Sequence, residues 1–341
     1  MGIRRTHRFA PWVLGALVLA AGLGGCGGSS HTVARAACSW HLQRAGSPSD
    51  DDLTGVSFAD TTHGWAVGGI DSADVLATSD GGATWHLQHT PVRDDGLSDV
   101  SFVDDRHGWA VGVDNTLIAT SDGGATWTYE DPHVPQDGNL YSVSFVDRDH
   151  GWVVGDHGVI RATSDGGRTW TPESAGTDAE LSDVQFVDRL HGWINAGDEI
   201  LRTTDGGAHW SVIHTADSTH QEELAGIFFL NSRQGWVSGS QYEQNDFYGT
   251  IAQTTDGGNS WTHVEVTAFD DVHFWAIAFL DARHGWVTGV QGEMFYTDDG
   301  GNSWADRSLA AEEGTRMIAM VFRDPRHGWA VGQQGTIEAC T

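Results

Sequence analysis

Two sets of side chains recur along this chain about once every forty-three residues, and both belong to types that do chemistry. The first set is Asp80, Asp122, Asp165, Asp205, Asp256 and Asp299, each inside a string such as TSDGGATW at 78–85, TSDGGRTW at 163–170 or TDDGGNSW at 297–304. The second is the histidine of His-Gly-Trp at 63–65, 107–109, 150–152, 191–193, 284–286 and 327–329, with Gln234-Gly235-Trp236 in the remaining place. Carboxylates can act as general acids and bases or hold hard cations, and imidazoles bind zinc. A metal needs its ligands to converge on one point, usually four around zinc. Residues that occupy the same turn of successive units cannot converge. The Asp side chain is instead expected to cap backbone N–H groups of its own turn, and the Trp five residues on to pack over the neighbouring unit. No His-Glu-x-x-His or Cys-x-x-Cys string is present, and the expectation is no catalytic residue, no metal and no cofactor.

The units that carry these residues are repeats. The second-signature tryptophans are 65, 109, 152, 193, 236, 286 and 329, spaced 41 to 50 residues apart. Each unit holds four short strand patterns. In the second, Leu97–Val103 alternates in polarity, Gly108–Val113 and Thr116–Thr120 follow around a tight turn, and Asp122-Gly123-Gly124 turns the chain into a fourth strand at Trp127. Glycine after Asp supplies the positive φ such turns need. Four strands per period with Trp and Gly motifs predict a seven-bladed all-β propeller of four-stranded blades.

The count also predicts how the ring closes. Gly335-Thr-Ile-Glu-Ala-Cys340 at the C-terminal end matches Gly158-Val-Ile-Arg-Ala-Thr163, and Ala37-Cys38-Ser39-Trp40 matches Ala83-Thr84-Trp85. The first strand therefore completes the last blade, which puts Cys38 and Cys340 on the two sides of one broken hairpin. In an oxidising compartment they should form a disulfide. Closing so long a loop is worth at most roughly 5 kcal/mol in the chain-entropy model.

Composition narrows the partners. The chain has 341 residues, 16 Trp, no Lys and a formal charge of −29. Such a field argues against nucleic acid and anionic membrane surfaces. Residues 1–25 read as an export signal: Arg4, Arg5 and Arg8 precede a Trp12–Leu23 apolar run too short to span a bilayer. Leu23-Gly24-Gly25-Cys26 resembles a bacterial lipobox, which implies cleavage before Cys26 and acylation of its thiol. Residues 26–36 then form a tether and 37–341 the propeller. The expected location is outside the cytoplasm, anchored by lipid to the cell membrane or outer membrane, with no other membrane contact.

The Thr/Ser-x-Asp-x-Gly-x-Thr/Ser-Trp string resembles the Asp-box, or BNR, repeat. Joined to His-Gly-Trp and a glycine-rich second strand, the region 37–341 resembles the photosystem II stability/assembly factor family of seven-bladed propellers. That resemblance implies a non-enzymatic, protein-binding scaffold with an arginine patch, of which this sequence keeps Arg161 and Arg202 after the third-strand Ile. Asp-boxes also occur in sialidases. Those would require converging arginines and a Tyr nucleophile; Tyr129, Tyr141, Tyr242, Tyr248 and Tyr296 have no arginine cluster around them in the sequence.

Function is expected on the face opposite the motif turns. The blade connections there are acidic: Asp50 to Asp52, Asp94-Asp95, Asp131 with Asp137, Asp178 with Glu180, Glu222-Glu223, Asp270-Asp271 and Glu312-Glu313. An eight-residue insertion at 240–249 and the next connection supply candidate binding loops, with Tyr242, Phe247, Tyr248, Asp270, Asp271, His273 and Trp275. The expected role is a monomeric scaffold for an envelope or membrane protein, docked through a basic segment. The alternatives are a carbohydrate-binding surface protein and, third, an Asp-box glycoside hydrolase. Asp99 and Asp183 are the only carboxylates the sequence places near the ring centre. They stand two blades apart and are expected to be solvated rather than paired.

Overall fold

The computed structural model describes residues 38–43, 51–69, 72–92, 96–134, 138–215, 223–243, 246–264, 272–308 and 315–340. All of them belong to one compact unit, Val33–Thr341. Seven four-stranded antiparallel sheets form the blades of a propeller. Their innermost strands are Leu53–Phe58, Leu97–Phe102, Leu140–Phe145, Asp183–Phe186, Glu223–Phe229, Phe274–Phe279 and Met317–Asp324, which number blades 1 to 7. Six blades take their strands in chain order. Blade 7 takes its outermost strand, Trp40–Leu42, from the other end of the chain, Trp40 pairing with Cys340 and His41 with Ala339. Cys38 and Cys340 form a disulfide across this junction, with Cα atoms 5.3 Å apart.

The strands arise from alternation and from glycine. The second strand of a blade, Gly108–Gly112 for instance, is buried along its whole length, because neighbouring strands and neighbouring blades cover both of its faces. Gly108 is obligatory: a Cβ there would lie 2.3 Å from the ring of Phe102.

The seams between blades are aromatic. At six of the seven seams the second-strand indole of one blade stacks flat on the last Phe of the next blade's innermost strand, while at the seventh Trp286 and Phe322 stand 6.3 Å apart. Trp65 lies on Phe102 with centroids 3.5 Å apart, Trp109 on Phe145 at 3.5 Å and Trp193 on Phe229 at 3.6 Å. Trp329 on Phe58 at 3.5 Å carries the pattern across the closure. Such pairs add about 0.5–1.5 kcal/mol beyond the area they bury. The Asp-box Trp behaves differently from expectation. Trp127 meets Phe102 of its own blade edge-on, at 5.9 Å and 86°. It lies in the core cluster shared with Trp65, Val67 and Val75 of the preceding blade, and its Nε1–H donates to Gln88 Oε1 of that blade at 3.1 Å. The flat stacking site is already filled by the other Trp.

The insertion at 240–249 is a strand extension rather than a loop. Gly235–Glu243 and Asp246–Thr254 pair through to Glu243 and Asp246, with Gln241 opposite Tyr248 and Tyr242 opposite Phe247. This hairpin leans on blade 6, where a Cβ at Gly249 would lie 2.5 Å from the ring of Phe274.

Candidate functional site

The motif face is built of turns whose polar groups serve the turns themselves. In blade 1, Asp80 Oδ1 accepts from the Thr84 N–H at 2.9 Å and from Thr78 Oγ1 at 2.8 Å, while Oδ2 accepts from Thr84 Oγ1 at 2.6 Å. Thr78 Oγ1 in turn accepts from the Gly82 N–H. The same lattice stands at Asp122, Asp165, Asp205, Asp256 and Asp299. The Thr84 hydrogen bonds hold the Asp80 carboxyl down at about 2, and those of Ser260 hold Asp256 at about 2. A carboxylate so satisfied is poorly suited to act as a base.

The histidine turns follow one rule. Asp60 Oδ1 accepts from the N–H groups of Thr62 and His63, and Oδ2 faces His63 Nδ1 at 2.9 Å. Asp104, Asp147, Asp188, Asp281 and Asp324 each face the Nδ1 of the histidine three residues on. Where Gln234 replaces histidine, Asn231 replaces the aspartate and accepts from the N–H groups of Arg233 and Gln234. Burial disfavours the charge on Asp60, but the hydrogen bonds from His63 and Thr62 outweigh it and its carboxyl lies well below the usual range. Arg148 and Arg189 reach back across the seams to Asp104 and Asp147, at 2.6 and 2.7 Å. The two kinds of turn adjoin on this face, the Gly123 N–H donating to Arg106 O at 2.9 Å. The structure thus separates the histidines, one per turn, and among the described residues no three metal-binding side chains cluster.

On the connection face some acids are likewise hydrogen-bonded, Asp52 by the Gln334 N–H and Asp156 by the Asn139 N–H, but a group on blades 2 to 5 is not. Asp114, Asp178, Glu180, Asp198, Glu199 and Glu223 lie in the connections and upper turns of blades 2 to 5. None of their side chains has a hydrogen bond or ion pair among the described residues. Tyr141 lies among them, donating to Asp156 Oδ1 at 2.9 Å. The arginines that the family likeness brings forward are occupied. Arg161 donates to the carbonyls of Pro132, His133 and Ile160, and Arg202 to Asn259 Oδ1. Trp275 is 38% exposed, with the Arg316 guanidinium 4.9 Å above its ring. His273 is partly buried beside it and its carbonyl accepts from the Val290 N–H. Of the other sequence-derived candidates, Cys26, Asp270 and Asp271 lie outside the described residues.

At the ring centre the structure corrects the expectation for Asp99 and Asp183. They are not separately solvated: Ser142 of the intervening blade bridges them, its Oγ 2.9 Å from Asp99 Oδ2 and 3.1 Å from Asp183 Oδ1. Asp99, Ser142 and Asp183 each stand three residues before the closing Phe of their innermost strands, which brings two carboxylates from alternate blades onto one hydroxyl. An alignment of the innermost strands by that position was the sequence signal that could have found the contact.

A ring of seven blades, six of which tie an Asp-box carboxylate into their own turn, defines a BNR-repeat propeller. The family model of the photosynthesis system II assembly factor YCF48 matches residues 92–171, 174–269 and 259–338. The chain belongs to that family. Among solved structures it is similar to "YCF48 bound to D1 peptide", with 22% identity, a TM-score of 0.71 and coverage of 89% of this chain and 96% of that one. It is similar also to YCF48 from Cyanidioschyzon merolae, at 21% identity, a TM-score of 0.70 and coverage of 89% and 98%. A GH74 xyloglucanase from Xanthomonas campestris shares the fold at 14% identity and a TM-score of 0.65, over 88% of this chain and 53% of that one. No curated protein matches the sequence.

Proposed function

We infer that this propeller is a non-enzymatic scaffold that holds a segment of another protein against its connection face. The observation that carries this reading is the set of six carboxylates on blades 2 to 5, Asp114, Asp178, Glu180, Asp198, Glu199 and Glu223, that have no hydrogen-bond or ion-pair partner among the described residues. A face of one sign attracts and orients a segment of the other sign, here a chain rich in Arg or Lys. Trp275 and the hairpin extension of blade 5 border that face, and exposed aromatic residues are common anchors of interfaces. A YCF48 with a bound D1 peptide is a family precedent for a protein segment as ligand. The carbohydrate alternative rests on Trp275 as a sugar platform, and Arg316 already covers one side of that ring. The hydrolase alternative would need a catalytic carboxylate pair. The central pair, Asp99 and Asp183, is closed onto Ser142.

The propeller in this reading is exported and works as a monomer held to the membrane by lipid on Cys26. Mass spectrometry of the N-terminal peptide would show an acylated Cys26, and Cys26→Ser would release the protein into the soluble fraction. For the scaffold itself the test is crosslinking in intact cells, followed by capture of the tagged full-length chain. One protein should be recovered reproducibly, and much less of it with Glu180→Lys/Glu223→Lys or in raised salt. Equal recovery with the charge-reversed variant, or elution by sugar alone, would contradict the proposal.

A further inference from the structure

The neck of the channel carries a proton problem that the scaffold role does not use. The residue three before the closing Phe of the innermost strand, taken around the ring, is Gly55, Asp99, Ser142, Asp183, Gly226, Ala276 and Ala319. Blades 2, 3 and 4 therefore contribute two acids and a hydroxyl. No other inner strand places a charge or a titratable group at that level. Ser142 is 3% exposed. Its Oγ accepts from the Val184 N–H at 3.2 Å. Asp99 accepts from the Val143 N–H on Oδ2 at 3.0 Å and from the Val100 N–H on Oδ1 at 2.7 Å.

Ser142 has one hydroxyl hydrogen and faces two carboxyl oxygens. It can donate to only one of them. With both acids ionised, the other contact sets an oxygen lone pair against a carboxylate, which is unfavourable. The amide donors favour charge on Asp99. We propose that Asp99, Ser142 and Asp183 share one extra proton at neutral pH, held on Asp183, which donates to Ser142 Oγ while Ser142 donates to Asp99, so that the seams of blades 2 to 4 tighten or loosen with pH. Burial raises both acids, Asp99 to about 6 and Asp183 to about 7, the charge of Asp99 adding to the rise at Asp183. The steps belong to the pair rather than to either residue.

The direction of the pH effect follows. Each folded-state value lies above the ordinary Asp value of about 3.9, so between those values the folded chain binds more protons than the unfolded one. Stability contributed by the cluster is full at low pH and is lost as pH rises through 6 and 7.

Aspartate-selective carbon-13 labelling of the full chain, with the carboxyl resonances followed against pH, tests this without any substitution. The label leaves out Glu173, the other acid with a raised value near 7. One or two aspartate carboxyls should titrate above pH 5.5, with the upper step missing in Asp183→Asn and displaced in Ser142→Ala. If every aspartate carboxyl titrates below 5, the shared proton does not exist. A high-titrating carboxyl that persists unchanged in a folded Asp183→Asn would equally overturn the assignment.

Discussion

The two faces of the ring differ in what their carboxylates do. On the motif face each Asp-box Asp accepts hydrogen bonds from its own turn, and each histidine turn is closed by the Asp three residues before it. On the connection face Asp114, Asp178, Glu180, Asp198, Glu199 and Glu223 make no such bond among the described residues. The more repetitive face is therefore concerned with folding, and the more variable one is left available for a partner. A residue type that recurs in register is a poor indicator of chemistry when the register itself keeps its members apart.

Variants can break this contrast. The largest expected loss is at a seam. Phe145→Ala removes the flat partner of Trp109 and the edge-on partner of Trp170, and should lower the unfolding free energy by about 3–5 kcal/mol in urea titrations. Next comes the motif turn. Thr120 Oγ1 accepts from the buried Gly124 N–H and donates to Asp122, so Thr120→Val should cost roughly 1–3 kcal/mol while partner recovery stays unchanged.

A smaller effect, of opposite sign, sharpens the comparison within the motif face. In the seam of blades 1 and 2, the Gln88 carboxamide donates to Gly123 O and accepts from Trp127. In the seam of blades 3 and 4 the corresponding residue is Glu173, whose Oε2 accepts from Trp210 Nε1 at 3.2 Å. Burial, with the nearby charge of Asp205, raises its carboxyl to about 7 against the hydrogen bond from Trp210. Folded Glu173 thus resists ionisation, and its contribution to stability falls as pH rises from the usual carboxylate range through 7. Glu173→Gln should raise the melting temperature at pH 8 and leave it nearly unchanged near pH 4.5. The smallest effect on stability belongs to the connection face. Glu180→Lys with Glu223→Lys should alter unfolding by no more than about 0.5 kcal/mol, yet reduce partner recovery most.

The fold was legible because every unit repeats the same instructions. Glycine before Trp, Asp-Gly-Gly in the turn and alternation in the strands each fix a blade locally, and the split seventh unit reveals the closure and the Cys38–Cys340 pair. What escaped the sequence lies between units. Ser142 looks like any strand serine until the ring places it between Asp99 and Asp183. Which of two tryptophans lies flat across a seam depends on which ring reaches Phe102 first, and spacing carries no such information. The sequence at 240–249 carries no Asn-Gly or Asp-Gly pair of the kind that marks tight hairpins, so spacing alone gives an insertion and not a longer strand pair.

The central claim is that binding belongs to one face. A photo-activated crosslinking amino acid placed at Glu180 or Glu223, and separately at Thr126 or Arg168 on the motif face, would test it in intact cells with the full-length protein. The account predicts crosslinks to a single protein from Glu180 and Glu223 and none above background from Thr126 and Arg168. Crosslinks from the motif face, with none from the connection face, would contradict it.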